Sequence, residues 1–340
     1  MNKSLPSREL CTRLSDEVLS TVKILADGRS AYGLLDYPHH SNIGDSAIWV
    51  GEIAILNRLF GHGPAYVSQL DHDPAELGHS LSERHILFLH GGGNFGDIWP
   101  AYQRYRSAVI KHHPHHRIIQ LPQSIHFDDP SKLEETKRVI GAHHDYHLLV
   151  RDRESFALAE SCFNCPVYLV PDSAFGIGMS AVRRVEKPAG ILGLFRTDKE
   201  LRPDALEGRK KFEDCRLEDW RKISLPIRGV DKAIRRLLRA PVLSGPQMPR
   251  RVLFNAMATA RVNLGFAQLD RAEVVVTDRL HGHIMSTLLG KPHVVIDNYY
   301  GKIARFIDAF GKDDVTLQAN TYAEAREMAD SLLQSVRSSR

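Results

Sequence analysis

The run His90-Gly91-Gly92-Gly93-Asn94-Phe95-Gly96-Asp97 follows the apolar stretch 86–89 directly. Three glycines in a row at the carboxyl end of a strand let the backbone approach a ligand closely, and a helix opening after them would favour an anion there. The spacing is neither a P-loop nor G-x-G-x-x-G, so no nucleotide is specified. A tight strand-to-helix turn would also use these glycines, but the titratable His90 and Asp97 at its flanks favour a functional turn. In Val276-Thr277-Asp278-Arg279-Leu280-His281-Gly282, an arginine able to grip a carboxylate or phosphate at two points stands two residues from an imidazole able to move a proton. The plainer alternative is a helix start capped by Asp278. A third turn, Ser41-Asn42-Ile43-Gly44-Asp45-Ser46, offers Asp45 either as a helix cap or as a carboxylate for acid–base work at a sheet edge.

Further polar groups follow other apolar runs: Gln123, Ser124 and His126; Arg151 and Asp152; Asp172 and Ser173; Arg196 and Asp198. Singly these read as caps or surface pairs. Together they line one edge with Arg, His, Asp and amide groups, as a multiply anionic ligand requires. Metal chemistry finds less support. Cys162 and Cys165 form a lone C-x-x-C, while Cys11 and Cys215 are isolated. The histidine runs 112–116 and 143–144 fall between apolar segments and are expected to be solvated loop residues.

These groups need strands to carry them, and the chain supplies apolar runs at 31–37, 85–90, 117–121, 147–151, 167–171, 190–195, 273–277 and 293–297. Helix-period stretches alternate with them, the pattern of an α/β fold with parallel sheets. Trp49, Ile53, Leu56 and Phe60 mark one helical face after Asp45. Ser131-Lys132-Leu133-Glu134 and Thr321-Tyr322-Ala323-Glu324 read as capping boxes. With 340 residues, about two domains are expected: 1–180, then 181–315 with a proline-interrupted insertion at 196–250, and a C-terminal helix in 316–340. Within the insertion, 228–239 reads as a basic amphipathic helix, either packed on its own domain or laid on an anionic membrane surface.

A composition of 43% hydrophobic and 25% charged residues excludes a disordered or disulfide-stapled chain. A net charge of +4 is too small to argue for nucleic acid. No apolar stretch is long enough to span a membrane, and no secretory leader is visible. The expected location is therefore the cytoplasm; if 228–239 lies on a membrane rather than on its own domain, it would be on the inner face.

Taken in order, Asn42-Ile43-Gly44-Asp45, His90-Gly91-Gly92-Gly93 with Gly96-Asp97, Pro122-Gln123-Ser124, Arg151-Asp152, Pro171-Asp172 and Thr277-Asp278-Arg279-Leu280-His281-Gly282 resemble the polysaccharide pyruvyl transferase family, from about Tyr32 to Phe310. The resemblance implies two Rossmann-like domains facing across a cleft, GT-B-like, with the acceptor on the first and the donor on the second. It also implies transfer of pyruvate from phosphoenolpyruvate onto two hydroxyls of a sugar, in a surface or exopolysaccharide precursor, with no obligatory cofactor or metal. On that basis Arg279, the Leu280 backbone, Arg151, Arg196 and His126 are expected at the donor, and His281 and Asp45 in catalysis. Asn42, Gly44, His90, Gly91, Gly92, Gly93, Asp97, Gln123, Ser124 and Asp172 are expected at the glycine turn and cleft. The acceptor would be a glycan, free or lipid-linked. A GT-B glycosyltransferase using a nucleotide sugar and a non-catalytic glycan-binding component of an assembly complex are the alternatives.

Overall fold

The computed structural model describes residues 5–75, 81–179, 187–197, 200–220 and 247–339. After helix α1 (Ser7–Ala26), the chain runs through β1 (Tyr32–Tyr37), α2 (Ile43–Phe60), β2 (Tyr66–Gln69), β3 (Ile86–Leu89), β4 (Gly92–Gly96), α3 (Pro100–His112) and β5 (Arg117–His126). It continues through α4 (Pro130–Gly141), β6 (Tyr146–Val150), α5 (Arg153–Cys162) and β7 (Val167–Leu169). The second half holds β8 (Ile191–Leu194), the short α6 (Ala205–Gly208), β9 (Arg216–Glu218), α7 (Gln247–Asp270), β10 (Val274–Thr277) and α8 (Leu280–Leu289). It closes with β11 (His293–Ile296), α9 (Lys302–Phe310), β12 (Thr316–Ala319) and α10 (Tyr322–Ser338).

Two parallel sheets result, a Rossmann-like α/β architecture. The first has the order β2-β1-β3-β5-β6-β7, with β4 also on β5; the second has the order β12-β11-β10-β8-β9. The inner strands read as continuous apolar runs because helices cover both faces: β3 and β10 are buried at every position. Two elements tie the halves together. Helix α7 packs on α2 and stacks its Phe254 on Tyr37 at the end of β1, with ring centroids 4.0 Å apart. Helix α1 contributes Leu10 and Leu14 to a core shared with Leu192, Val275 and Ile284.

The glycine run does not turn into a helix. β3 pairs with the first part of β5, and Gly92–Gly96 resumes the ladder farther along the same strand. A Cβ at Gly96 would lie 1.8 Å from the His126 carbonyl oxygen, and one at Gly91 would lie 2.7 Å from that of Pro122. These two glycines therefore serve backbone-to-backbone approach within the sheet, and the helix expected at their end opens only at Pro100.

Other local expectations also change. The box at 131–134 is not the start of α4, because Asp129 caps that helix by accepting from the Ser131 backbone N–H at 2.8 Å. At α10 the Thr321 hydroxyl does accept from the Glu324 N–H. His113, His116 and His143 are buried rather than solvated. The reason is that the His113 ring bonds the Pro74 carbonyl oxygen at 2.7 Å and the His143 ring bonds that of His113 at 3.0 Å, which pins three loops together. Within 196–250, residues 216–218 form an edge strand of the second sheet and α7 starts at Gln247. The basic stretch 228–239 lies outside the described residues.

Candidate functional site

The carboxyl ends of both sheets open onto one cavity of about 400 Å³. Parallel sheets place ligands at that end because each strand there hands over to a loop whose side chains and N–H groups converge. Among the expected residues, Asn42, Gly44, Asp45, Gly93, Arg151, Arg196, Arg279, Leu280 and His281 line this cavity. They come from strand β4 and from the segments that follow β1, β6, β8 and β10, which the fold brings together from positions as far apart as Asn42 and His281.

One end of the cavity is cationic. Arg151 pairs with the buried Asp172 and donates from Nε to the Ser124 hydroxyl at 3.1 Å. Arg196 and Lys302 meet the carboxylate of Glu200 at 3.0 and 2.9 Å, and Arg279 pairs with Asp219. Four cations thus share three carboxylates, with the His281 ring added at 3.4 Å from Asp172. Burial would raise the Asp172 carboxyl, but His281 and Arg151 outweigh it and hold it well below the ordinary carboxylate range. Asp172 therefore stays ionised and orients both the imidazole and Arg151. Burial likewise draws the Lys302 ammonium below its usual value, against the pull of Glu200.

Helix α2 presents its N-terminus to the same imidazole. A Cβ at Gly44 would lie 2.6 Å from His281 Nδ1 and 2.8 Å from Cγ, so only glycine lets the two helix starts meet there. Gly44→Ala should therefore push the ring aside, cost ~1–3 kcal/mol of stability by overpacking and reduce activity. Urea midpoints and turnover for this variant check it; wild-type values of both would mean that the ring has room to spare.

Asp45 is not the cap of α2. Asn42 takes that role, accepting from the Gly44 N–H at 3.1 Å and donating from its amide to Asp45 at 2.7 Å. The Asp45 carboxylate is left facing the cavity, 3.4 Å from His40 Nε2. Burial favours a raised Asp45, but His40, and then His281, His90 and Arg151, pull it below its usual value. Burial lowers the His40 imidazole, with Asp45 opposing.

Asp278 is not a cap either. The Arg279 N–H donates to the Thr277 hydroxyl, while Asp278 accepts from the Arg196 N–H at 2.8 Å. Burial raises the Asp278 carboxyl to about 6, with the Arg196 N–H, Arg279 and Arg209 opposing. A raised folded value means that the native state holds the proton more tightly, so this contribution is complete below pH ~4 and is lost as pH climbs through about 6. Relative to Asp278→Asn, the wild type should lose about 3 kcal/mol between pH 4 and 7. Parallel urea midpoints for the two proteins across that range would contradict it.

Other expected residues sit behind or outside the cavity. His90 is buried, its Nδ1 2.7 Å from Glu52, whose other oxygen accepts from the Gly91 N–H at 2.8 Å. Burial lowers the His90 ring, but the Glu52 charge and hydrogen bond outweigh it and raise it. Glu52 thus clamps the glycine turn onto the helix that carries Asp45. Gln123 is buried and donates to the His90 carbonyl oxygen and to Asn94. Gly92 takes a φ of 126°, open only to glycine. His126 pairs with Asp128 at 2.9 Å, and Asp97 accepts from the Asp128 and Asp129 N–H groups; neither lines the cavity. Lining residues without a sequence motif are His40, Trp99, Tyr102, Glu200, Trp220 and Lys302. A basic residue within five positions of the end of an apolar run was the available signal for His40 and Lys302.

Residues 42–299 match the family model for polysaccharide pyruvyl transferase. Pyruvyl transferase 1 of Schizosaccharomyces pombe is 32% identical over 292 residues, covering 82% of this chain and 69% of that one. EpsO of Bacillus subtilis, provisionally named a pyruvyl transferase, is 32% identical over 274 residues, covering 80% and 82%. A functionally uncharacterized Klebsiella pneumoniae protein of known crystal structure shares the fold with a TM-score of 0.59 at 18% identity, over 91% of this chain and 99% of that one.

Proposed function

Since the chain belongs to the polysaccharide pyruvyl transferase family, we propose that it moves pyruvate from phosphoenolpyruvate onto two hydroxyls of one sugar in a surface or exopolysaccharide precursor. The observation that carries this reading is the cluster of Arg151, Arg196, Arg279 and Lys302 around a cavity that also holds His281 and Asp45. Phosphoenolpyruvate brings a phosphate and a carboxylate, and planar guanidinium groups bind both at two points. The two sheets facing the cavity are read as GT-B-like halves, the donor lying on the second with Arg279 and the Leu280 backbone. The setting is read as cytoplasmic, with a free or lipid-linked glycan as partner.

The chemistry balances without an added co-reactant. Two sugar hydroxyl oxygens bond to the enol carbon, its bond to the phosphate oxygen breaks, and the methylene carbon gains one proton to become methyl. The second hydroxyl proton leaves with the phosphate. His281, oriented by Asp172, supplies the proton to the methylene carbon, and the Asp45–His40 pair takes the hydroxyl protons and passes them on, one to restore His281 and the other to the departing phosphate. Arg279, Arg196 and Lys302 stabilise the departing phosphate charge.

A calorimetric titration of EDTA-treated protein with phosphoenolpyruvate tests the donor assignment. Saturable binding without added metal is expected. Binding of a nucleotide sugar in place of phosphoenolpyruvate would move the assignment to a glycosyltransferase.

A further inference from the structure

The cavity's chemistry is not exhausted by its cations and His281. Its lining also includes His40, Asn42, Asp45, Trp99 and Tyr102. Trp99 is 40% exposed, whereas the other two tryptophans, Trp49 and Trp220, are buried at 0% and 1%. A large apolar ring left half in water at a cavity mouth gives up the burial that stabilises its counterparts. The Tyr102 ring stands edge-on to His40 at 6.4 Å, and His40 in turn contacts Asp45 at 3.4 Å. Trp99 and Tyr102 are held at the start of α3, which Pro100 fixes at its first position.

We propose that Trp99 and Tyr102 form a stacking platform for the acceptor, a neutral pyranoside whose C–H face lies on the rings while its hydroxyls reach Asp45 and His40. The negative face of an aromatic ring attracts polarised C–H groups, and the ring's edges leave the sugar's equatorial hydroxyls free. An acidic group placed directly against the Asp45 carboxylate would be disfavoured, because like charges at short range repel, which favours a neutral sugar at that contact. The inference rests on the proposed function for the term acceptor; the sugar contact itself can be measured without a donor.

Saturation-transfer NMR with a panel of neutral methyl hexopyranosides is the test, run on wild type, Trp99→Ala, Trp99→Phe and Tyr102→Ala. Trp99 is half exposed and not part of the core, so its variants should keep the wild-type melting temperature. At least one pyranoside should bind wild type, weaken roughly 10-fold in Trp99→Ala and recover most of its affinity in Trp99→Phe, where a ring face is restored. Phosphoenolpyruvate affinity, measured separately by calorimetry, should be the same in all four proteins. Sugar binding that depends on Trp99 in a protein that ignores phosphoenolpyruvate would support the platform while removing the donor assignment. A panel that binds wild type and Trp99→Ala alike, or that does not bind wild type, overturns the platform.

Discussion

His281→Ala should lower turnover by ~10²–10⁴-fold while changing phosphoenolpyruvate affinity far less, the pattern of a lost proton donor rather than a lost binding group. The imidazole stands between the ionised Asp172 and the N-terminus of α2, with Gly44 against its face. Nothing in the start of α8 depends on it: the N–H of Arg279 is satisfied by Thr277, which also donates to the Leu194 carbonyl oxygen at 2.8 Å. The variant should therefore fold, at some cost from the cavity that the ring vacates. Single-turnover rates, donor calorimetry and melting temperature separate the outcomes. Equal losses in affinity and turnover would make His281 a phosphate contact, and a destabilised protein with near-normal turnover would end its catalytic assignment.

Arg279→Lys should raise the donor dissociation constant roughly 10- to 150-fold although the charge is kept. An ammonium cannot reproduce a planar two-point contact, and losing a charge-assisted hydrogen bond costs ~1.5–3 kcal/mol. The guanidinium is already oriented toward the cavity by Asp219, a pairing that spans 60 residues of sequence and draws β9 against the turn after β10. A lysine at 279 would have a single charged point to divide between Asp219 and the donor. An unchanged phosphoenolpyruvate titration would place Arg279 outside the donor site.

Sequence patterns located the strands that carry the site because those strands are covered on both faces and read as apolar runs. Strand β4 escaped notice since Gly92 and Gly93 carry no side chains to show a period, and β2, β9 and β12 are short edge or near-edge strands. The turns after β1, β6, β8 and β10 were legible because a short polar motif follows each run. The His90 environment was not, because its partner Glu52 lies 38 positions away on the far side of a helix turn. The same holds for Asp45: a local reading allowed it to cap α2, and only the geometry of Asn42 frees the carboxylate for the cavity. Trp99, Tyr102 and Glu200 were silent in sequence, since each belongs to a loop or helix start with no motif and becomes part of the site only through tertiary packing.

The central claim is ketal transfer from phosphoenolpyruvate. Its most direct measurement is an NMR and phosphate-release assay on EDTA-treated protein with phosphoenolpyruvate and neutral glycan acceptors. The account predicts a new ketal methyl signal on the glycan that grows in step with free phosphate, one phosphate for each ketal, with neither product formed when the glycan is omitted. Phosphate released without a ketal, or glycan modified only when a nucleotide sugar is supplied, would contradict it.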